Sequence, residues 1–109
     1  KADEIDPVDM TIYHDGVRTD AEVRVDVEAA MDSYLVNLPF NGIFYIESFR
    51  DALQSVRNVV DVEIGQIDRI NYSAGESSPA TSTISRRDIL DAGYAKIINA
   101  SSVNITIEQ

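Results

Sequence analysis

An α+β fold, a two-layer sandwich with two helices packed on one face of a small antiparallel or mixed sheet, follows from three features of the sequence. Segments near both ends and through the middle alternate apolar with polar residues, the period of a strand with one buried face. Two intervening segments space their apolar residues as the stripe of a helix. The order strand, helix, helix, long strand, loop, strand then leaves two amphipathic helices in need of one apolar surface, which a half-wet sheet supplies. A chain of 109 residues suffices for one domain with one core. It has no cysteine, which removes disulfides and thiolate metal sites from consideration.

The first strand is predicted at Val8–Tyr13, where Val8, Met10 and Ile12 alternate with Asp9, Thr11 and Tyr13. Residues 1–7, KADEIDP, read as a linker running into it. A chain opening on Lys1 rather than methionine reads as a processed chain or a fragment, and the linker favours a fragment of a longer protein. His14-Asp15-Gly16 supplies turn chemistry. Thr19-Asp20-Ala21-Glu22 matches a capping box and opens a helix over 20–38, with Val23, Val27, Ala30, Tyr34 and Leu38 inward and Arg24, Glu28 and Asp32 toward water. Pro39 ends it, and Phe40-Asn41-Gly42 turns the chain.

Ile43–Ile46 is short, apolar and extended. A second helix is predicted over 47–57, with Phe49, Ala52, Leu53 and Val56 on its buried face and Asn58 in a left-handed conformation beyond its end. From Val59 to Tyr72 runs a long strand signal in which Val60, Val62, Ile64, Ile70 and Tyr72 share one parity. Gly65 marks a bulge or bend that brings Ile67 onto the buried face. Residues 73–85, SAGESSPATSTIS, are too small and polar to bury much, and read as a mobile loop or hairpin arm. Asp91-Ala92-Gly93-Tyr94 reads as a turn, and Val103–Ile107 as a terminal strand. Met10, Ile12, Val27, Tyr34, Leu53, Val60 and Val62 are the expected core.

The formal net charge is −10, from 19 acidic and 9 basic residues. That field repels nucleic-acid phosphates and anionic lipid, and no basic stripe offsets it. No apolar run reaches the roughly 20 residues of a membrane span, so neither nucleic-acid binding nor membrane insertion is expected. The chemistry of known sites is equally sparse. His14, the single histidine, lacks a neighbouring nucleophile and reads as a solvent-exposed turn residue. Asp3, Glu4, Asp6 and Asp9 cluster, but without the spacing or the glycine of a calcium loop. Arg86-Arg87 reads as a solvated pair. There is no glycine-rich phosphate cradle, and the three Asn-X-Ser/Thr triplets, at Asn71, Asn99 and Asn104, carry no weight. Catalytic, cofactor-binding and metal-binding residues are therefore expected to be none, and the domain not to be an enzyme.

The order of residues from Val23 to Val62 resembles the C-terminal region of baseplate J-like proteins from contractile-tail phages and related injection machines. The likeness lies in Ala29-Ala30, Tyr34-Leu35, Leu38-Pro39 and Gly42, then Phe49 and Ala52-Leu53-Gln54-Ser55-Val56, then Val59-Val60-Asp61-Val62. Asp91-Ala92-Gly93-Tyr94 looks like that family's closing turn. Asn58 stands where the family has glycine, and the Ser/Thr-rich arm is longer. The resemblance implies a structural domain of the virion tail baseplate, present in the host cytoplasm during assembly. It further implies contacts with other baseplate wedge or tail proteins, homo-oligomerisation within the assembly, and no cofactor. Competing readings are an adhesin-like module of a secreted or surface protein and a regulatory ligand-binding α+β domain.

Overall fold

Alternation at the start of the chain begins earlier than the apolar pattern indicates. In the computed structural model, which describes residues 2–38, 42–72, 74–75, 77–90 and 95–108, the first strand, β1, spans Asp3–His14. Residues 3–7 of the expected linker are thus the first five of the twelve in a central strand. Its acidic residues are held by partners far along the chain, which a local reading of charge does not reveal. Asp3 is buried with its carboxylate 3.3 Å from Arg69 Nε. Glu4 accepts a 2.5 Å hydrogen bond from the Tyr72 hydroxyl and lies 3.6 Å from Lys96 Nζ.

β1 pairs antiparallel with β3 (Val59–Asn71), and β3 with β4 (Ala80–Ile84). On its other side β1 takes two short parallel strands, β6 (Ala95–Ile97) beside Asp3–Ile5 and β7 (Asn104–Ile107) beside Thr11–His14. A second, two-stranded sheet joins β2 (Ile43–Tyr45) to β5 (Arg87–Ile89). The fold is α+β with a mixed main sheet.

Two irregularities in the β1–β3 ladder set which side chains face inward. Asp6 pairs with Asp68 and Asp9 with Gln66, so Pro7 and Val8 together oppose Ile67. Met10 then pairs with Ile64, which leaves Gly65 as an extra residue on β3. Each bulge flips the parity of its own strand. Ile5 and Pro7 face in before it on β1, and Met10, Ile12 and His14 after it; on β3, Val62 gives way to Ile67. The bend anticipated at Gly65 is there, and Ile67 is buried as expected. Its counterpart on β1 explains why Val8, expected inward, is 45% exposed. Val60, also expected in the core, is 51% exposed. It is the extra residue of a third irregularity, where Tyr13 pairs with Asp61 and His14 with Val59.

Pro7 has no N–H to offer a neighbouring strand. Between β6 and β7 the chain leaves the ladder through Asn99 (φ 55°) and a turn of 3-10 helix at Ala100–Ser102, whose Ser102 hydroxyl reaches the Pro7 carbonyl at 3.4 Å.

Both helices cover the face made by Ile5, Met10, Ile12, Val62 and Ile67. Helix α1 spans Asp20–Val36 and begins with the expected capping box: Thr19 Oγ1 accepts from the Glu22 N–H at 3.2 Å, and Glu22 Oε1 from the Thr19 N–H at 3.0 Å. Val23, Val27, Met31 and Leu35 are its buried residues. Ala30, Tyr34 and Leu38, expected at the centre, pack at the margin, because α1 meets α2 on one side and β6 and β7 on another, and this widens its apolar arc. Arg24 is drawn off the solvent face: its guanidinium donates to the Ala100 carbonyl at 3.2 Å and the Val103 carbonyl at 2.8 Å.

Helix α2 spans Ile46–Gln54, buries Phe49 and Leu53, and sends Arg50 Nη1 to the Val62 carbonyl at 2.6 Å. Asn58 is left-handed (φ 73°), as expected. Its side chain bridges elements in a way that glycine cannot: Nδ2 donates to Asp15 Oδ2 and Oδ1 accepts from Arg18 Nε, both at 3.0 Å. The Ser/Thr-rich segment takes the hairpin form of its two readings, since Ala80–Ile84 is laddered to β3 and Ile84 is buried. The expected turns at 39–41 and 91–94 lie outside the described residues.

Candidate functional site

The residues that sequence chemistry singles out do not converge. His14 is not an exposed turn residue. It ends β1 on the inward parity of Met10 and Ile12 and is fully buried. Its Nε2 lies 2.6 Å from Asp20 Oδ1, and its Nδ1 accepts from the Gly16 N–H at 3.1 Å. This geometry assigns the proton to Nε2 and occupies both ring nitrogens in fastening the end of β1 to the start of α1. The neighbouring Asp15 carboxyl is held below its ordinary value by the Val17 N–H and the Asn58 amide.

The four early carboxylates separate by strand parity and bulge. Asp3 turns inward to Arg69, while Glu4 is clasped by Tyr72 and Lys96. Asp6 accepts from Asn99 Nδ2 at 2.9 Å, and Asp9 lies over Gly65, where a Cβ would collide with its carboxylate. Arg87 enters β5, and the Arg86 carbonyl accepts the Ile46 N–H at 2.9 Å. Among the described residues no group of three or more His, Asp or Glu is placed to hold a metal ion, and no helix is long and apolar enough to cross a membrane.

What the fold does assemble is surface. Among the described residues no helix covers the other face of the main sheet, which is acidic. Asp6 and Asp68 stand directly opposite each other, Glu63 opposes Thr11, and Asp61 opposes Tyr13. Like charges directly opposite on a sheet repel. Thr83 Oγ1 and Gln66 Nε2 both donate to Asp68 Oδ1, at 2.9 and 3.0 Å, but bring no positive charge. Among the described residues of this face the one base, Lys96, sits at the far end beside Glu4.

A second feature is an apolar groove of about 490 Å³ between α1 and α2, lined by Ala30, Tyr34, Leu38, Ile43, Tyr45 and Ala52, with Ser33, Asn37 and Ser48 also bordering it. The Tyr34 hydroxyl braces it, donating to the Tyr45 carbonyl at 3.2 Å and accepting the Tyr45 N–H at 3.3 Å. The Tyr34 ring stands edge-on to Phe44 and Phe49, with centroids 5.6 and 5.4 Å away.

The acidic face goes beyond the cluster of Asp3, Glu4, Asp6 and Asp9 that the sequence singles out, yet its signal is in the sequence: Asp61 and Glu63 alternate with Val62 and Ile64, so they lie opposite the core. Comparison with protein-family models, with curated proteins and with solved structures finds no match to this chain.

Proposed function

We propose that this domain is a structural assembly module that works by protein–protein contact, in a phage or prophage tail baseplate. The observation that carries the reading is the acidic sheet face that no helix covers among the described residues, which offers a broad surface for a neighbouring subunit and no converging reactive groups. The order of residues from Val23 to Val62 supports the baseplate form of the reading. On this proposal the domain turns over no substrate, and the charge of −10 keeps it from nucleic acid.

The test is to purify the parent particle, or to co-express the neighbouring tail genes, and ask whether the chain copurifies. Recovery outside any particle, as a secreted or surface-anchored protein that binds glycan, would overturn the proposal in favour of an adhesin-like module. A second reading, a regulatory domain for a small apolar ligand, is favoured by the groove beside Tyr34, whose size is within the range of ligand pockets. Saturable binding of a small apolar ligand that Ala52→Trp abolishes would support it.

A further inference from the structure

The two edges of the main sheet are treated differently. On the β1 side the edge is broken up: β6 is three residues long and β7 four, with a turn of 3-10 helix between them. Arg24 also caps the Ala100 and Val103 carbonyls there. These are the devices by which sheets avoid pairing with other chains. β4, at the opposite edge, has none of them. Its five residues, Ala80–Ile84, hold regular register with Ile67–Asn71, without a bulge, and contain no charge and no proline. Ala80, Thr81, Ser82 and Thr83 are exposed. In an antiparallel ladder every second residue of such a strand turns its N–H and C=O away from its one partner. Serine and threonine keep this edge wet without blocking it.

We infer that β4 accepts an added strand, and that its occupant is an extended, lysine- or arginine-bearing segment of a neighbouring protein. Charge selects the occupant. Thr83 and Thr81 lie on the open face, opposite Asp68 and Ile70, and the next strand position beyond Thr83 is two strand spacings, about 9–10 Å, from Asp68. A basic side chain there reaches toward the Asp6–Asp68 pair, which has no cation beside it among the described residues. A second copy of this chain brings another −10 and an identical run of hydroxyl residues, so it offers no such complement. Ladder bonds supply affinity and the charge supplies choice of partner, as in other strand additions. The inference rests on the proposed assembly role only in assuming contact with protein, and its test leaves copurification with a particle untouched.

The experiment uses the whole chain, isotope-labelled, with a synthetic peptide of about eight residues, an ordinary strand length, in which lysine alternates with threonine. The expected result is slowing of amide exchange confined to Ala80–Ile84, about tenfold or more at saturation, together with weaker binding of the peptide to Asp68→Asn. A glutamate–threonine peptide, and a lysine peptide N-methylated at every residue, should both fail to bind. Equal binding of the N-methylated peptide would show attraction to the acidic face without strand addition, and would overturn the inference. So would a lysine peptide that leaves β4 exchange unchanged, or slowing of β4 exchange with protein concentration alone, which would mark self-pairing.

Discussion

Arg69→Met probes how the sheet holds an acidic residue in its interior. Arg69 Nη1 donates to Asp88 Oδ1 at 2.7 Å and to the Ile89 carbonyl at 2.9 Å, and its Nε faces Asp3 Oδ2 at 3.3 Å. The three residues tie the start of β1 and the far half of β3 to β5. Asp3 is 1% exposed, so methionine leaves its carboxylate without the guanidinium charge and without water. Breaking a buried pair from one side costs roughly 3–5 kcal/mol. Against a total stability of about 5–15 kcal/mol for a domain, the variant folds but melts roughly 12–20 °C lower, at about 4 °C per kcal/mol. Urea denaturation followed by circular dichroism measures the loss. The double variant Asp3→Leu/Arg69→Met removes both charges and should be less destabilised than the sum of the single variants by roughly 0.5–3 kcal/mol. A single-variant loss under about 1 kcal/mol, or strict additivity, would refute the argument that the pair is buried and coupled.

Leu53→Ala should cost about 2–5 kcal/mol, because Leu53 is fully buried under α2 and its removal leaves a cavity; a loss under about 0.5 kcal/mol in urea denaturation would mean that α2 turns another face to the sheet. Acidification should destabilise the α1 start. The Glu22 carboxyl is held below its ordinary 4.5 by the Thr19 N–H and then the Thr19 hydroxyl. A depressed folded value contributes stability above the unfolded value and loses it as pH falls through the folded one. Glu22→Gln should therefore flatten the fall in stability from pH 5 downward, and an unchanged slope would count against the capping box. The amides of Ala80–Ile84 that bond to β3 should exchange more slowly than those of Gly75 and Ser78, which are held only by local turn bonds; equal rates would mean that the β3–β4 ladder opens as freely as its connection.

The parts of the fold legible in sequence are those set by residues close together in the chain. The capping box at Thr19–Glu22, the left-handed Asn58 and the bend at Gly65 each follow from local chemistry, and each is present. The misread positions depend on distant partners. Asp3 and Glu4 look like linker residues until Arg69, Tyr72 and Lys96 are brought beside them. His14 looks exposed until the inward parity is carried one residue past Tyr13. Val8 and Val60 fall off the core because extra residues displace them, and hydrophobic alternation alone does not count extra residues. The acidic face was present as parity, whereas the groove needed α1 and α2 to be placed side by side.

The two offset irregularities near Pro7–Val8 and Gly65 bear on how this sheet tolerates insertions and deletions. Each adds one residue to its own strand, and the additions cancel, so that Asp6–Asp68 and Met10–Ile64 lie on the same ladder. Loss of Val8 alone would remove the extra residue of β1 and leave Asp6–Asp68, Asp9–Gln66 and Met10–Ile64 as pairs, with Gly65 still bulged from β3 and the core face still inward. Loss of Gly65 alone would do the same for β3. Loss of both together yields a straight ladder with Ile5, Met10, Ile12, Val62 and Ile67 still facing the helices. Each position, about 57 residues from the other in the chain, is thus a place where its own strand can lose one residue without moving the pairs on either side, whereas a deletion at a paired position shifts that strand's register and turns its core face outward.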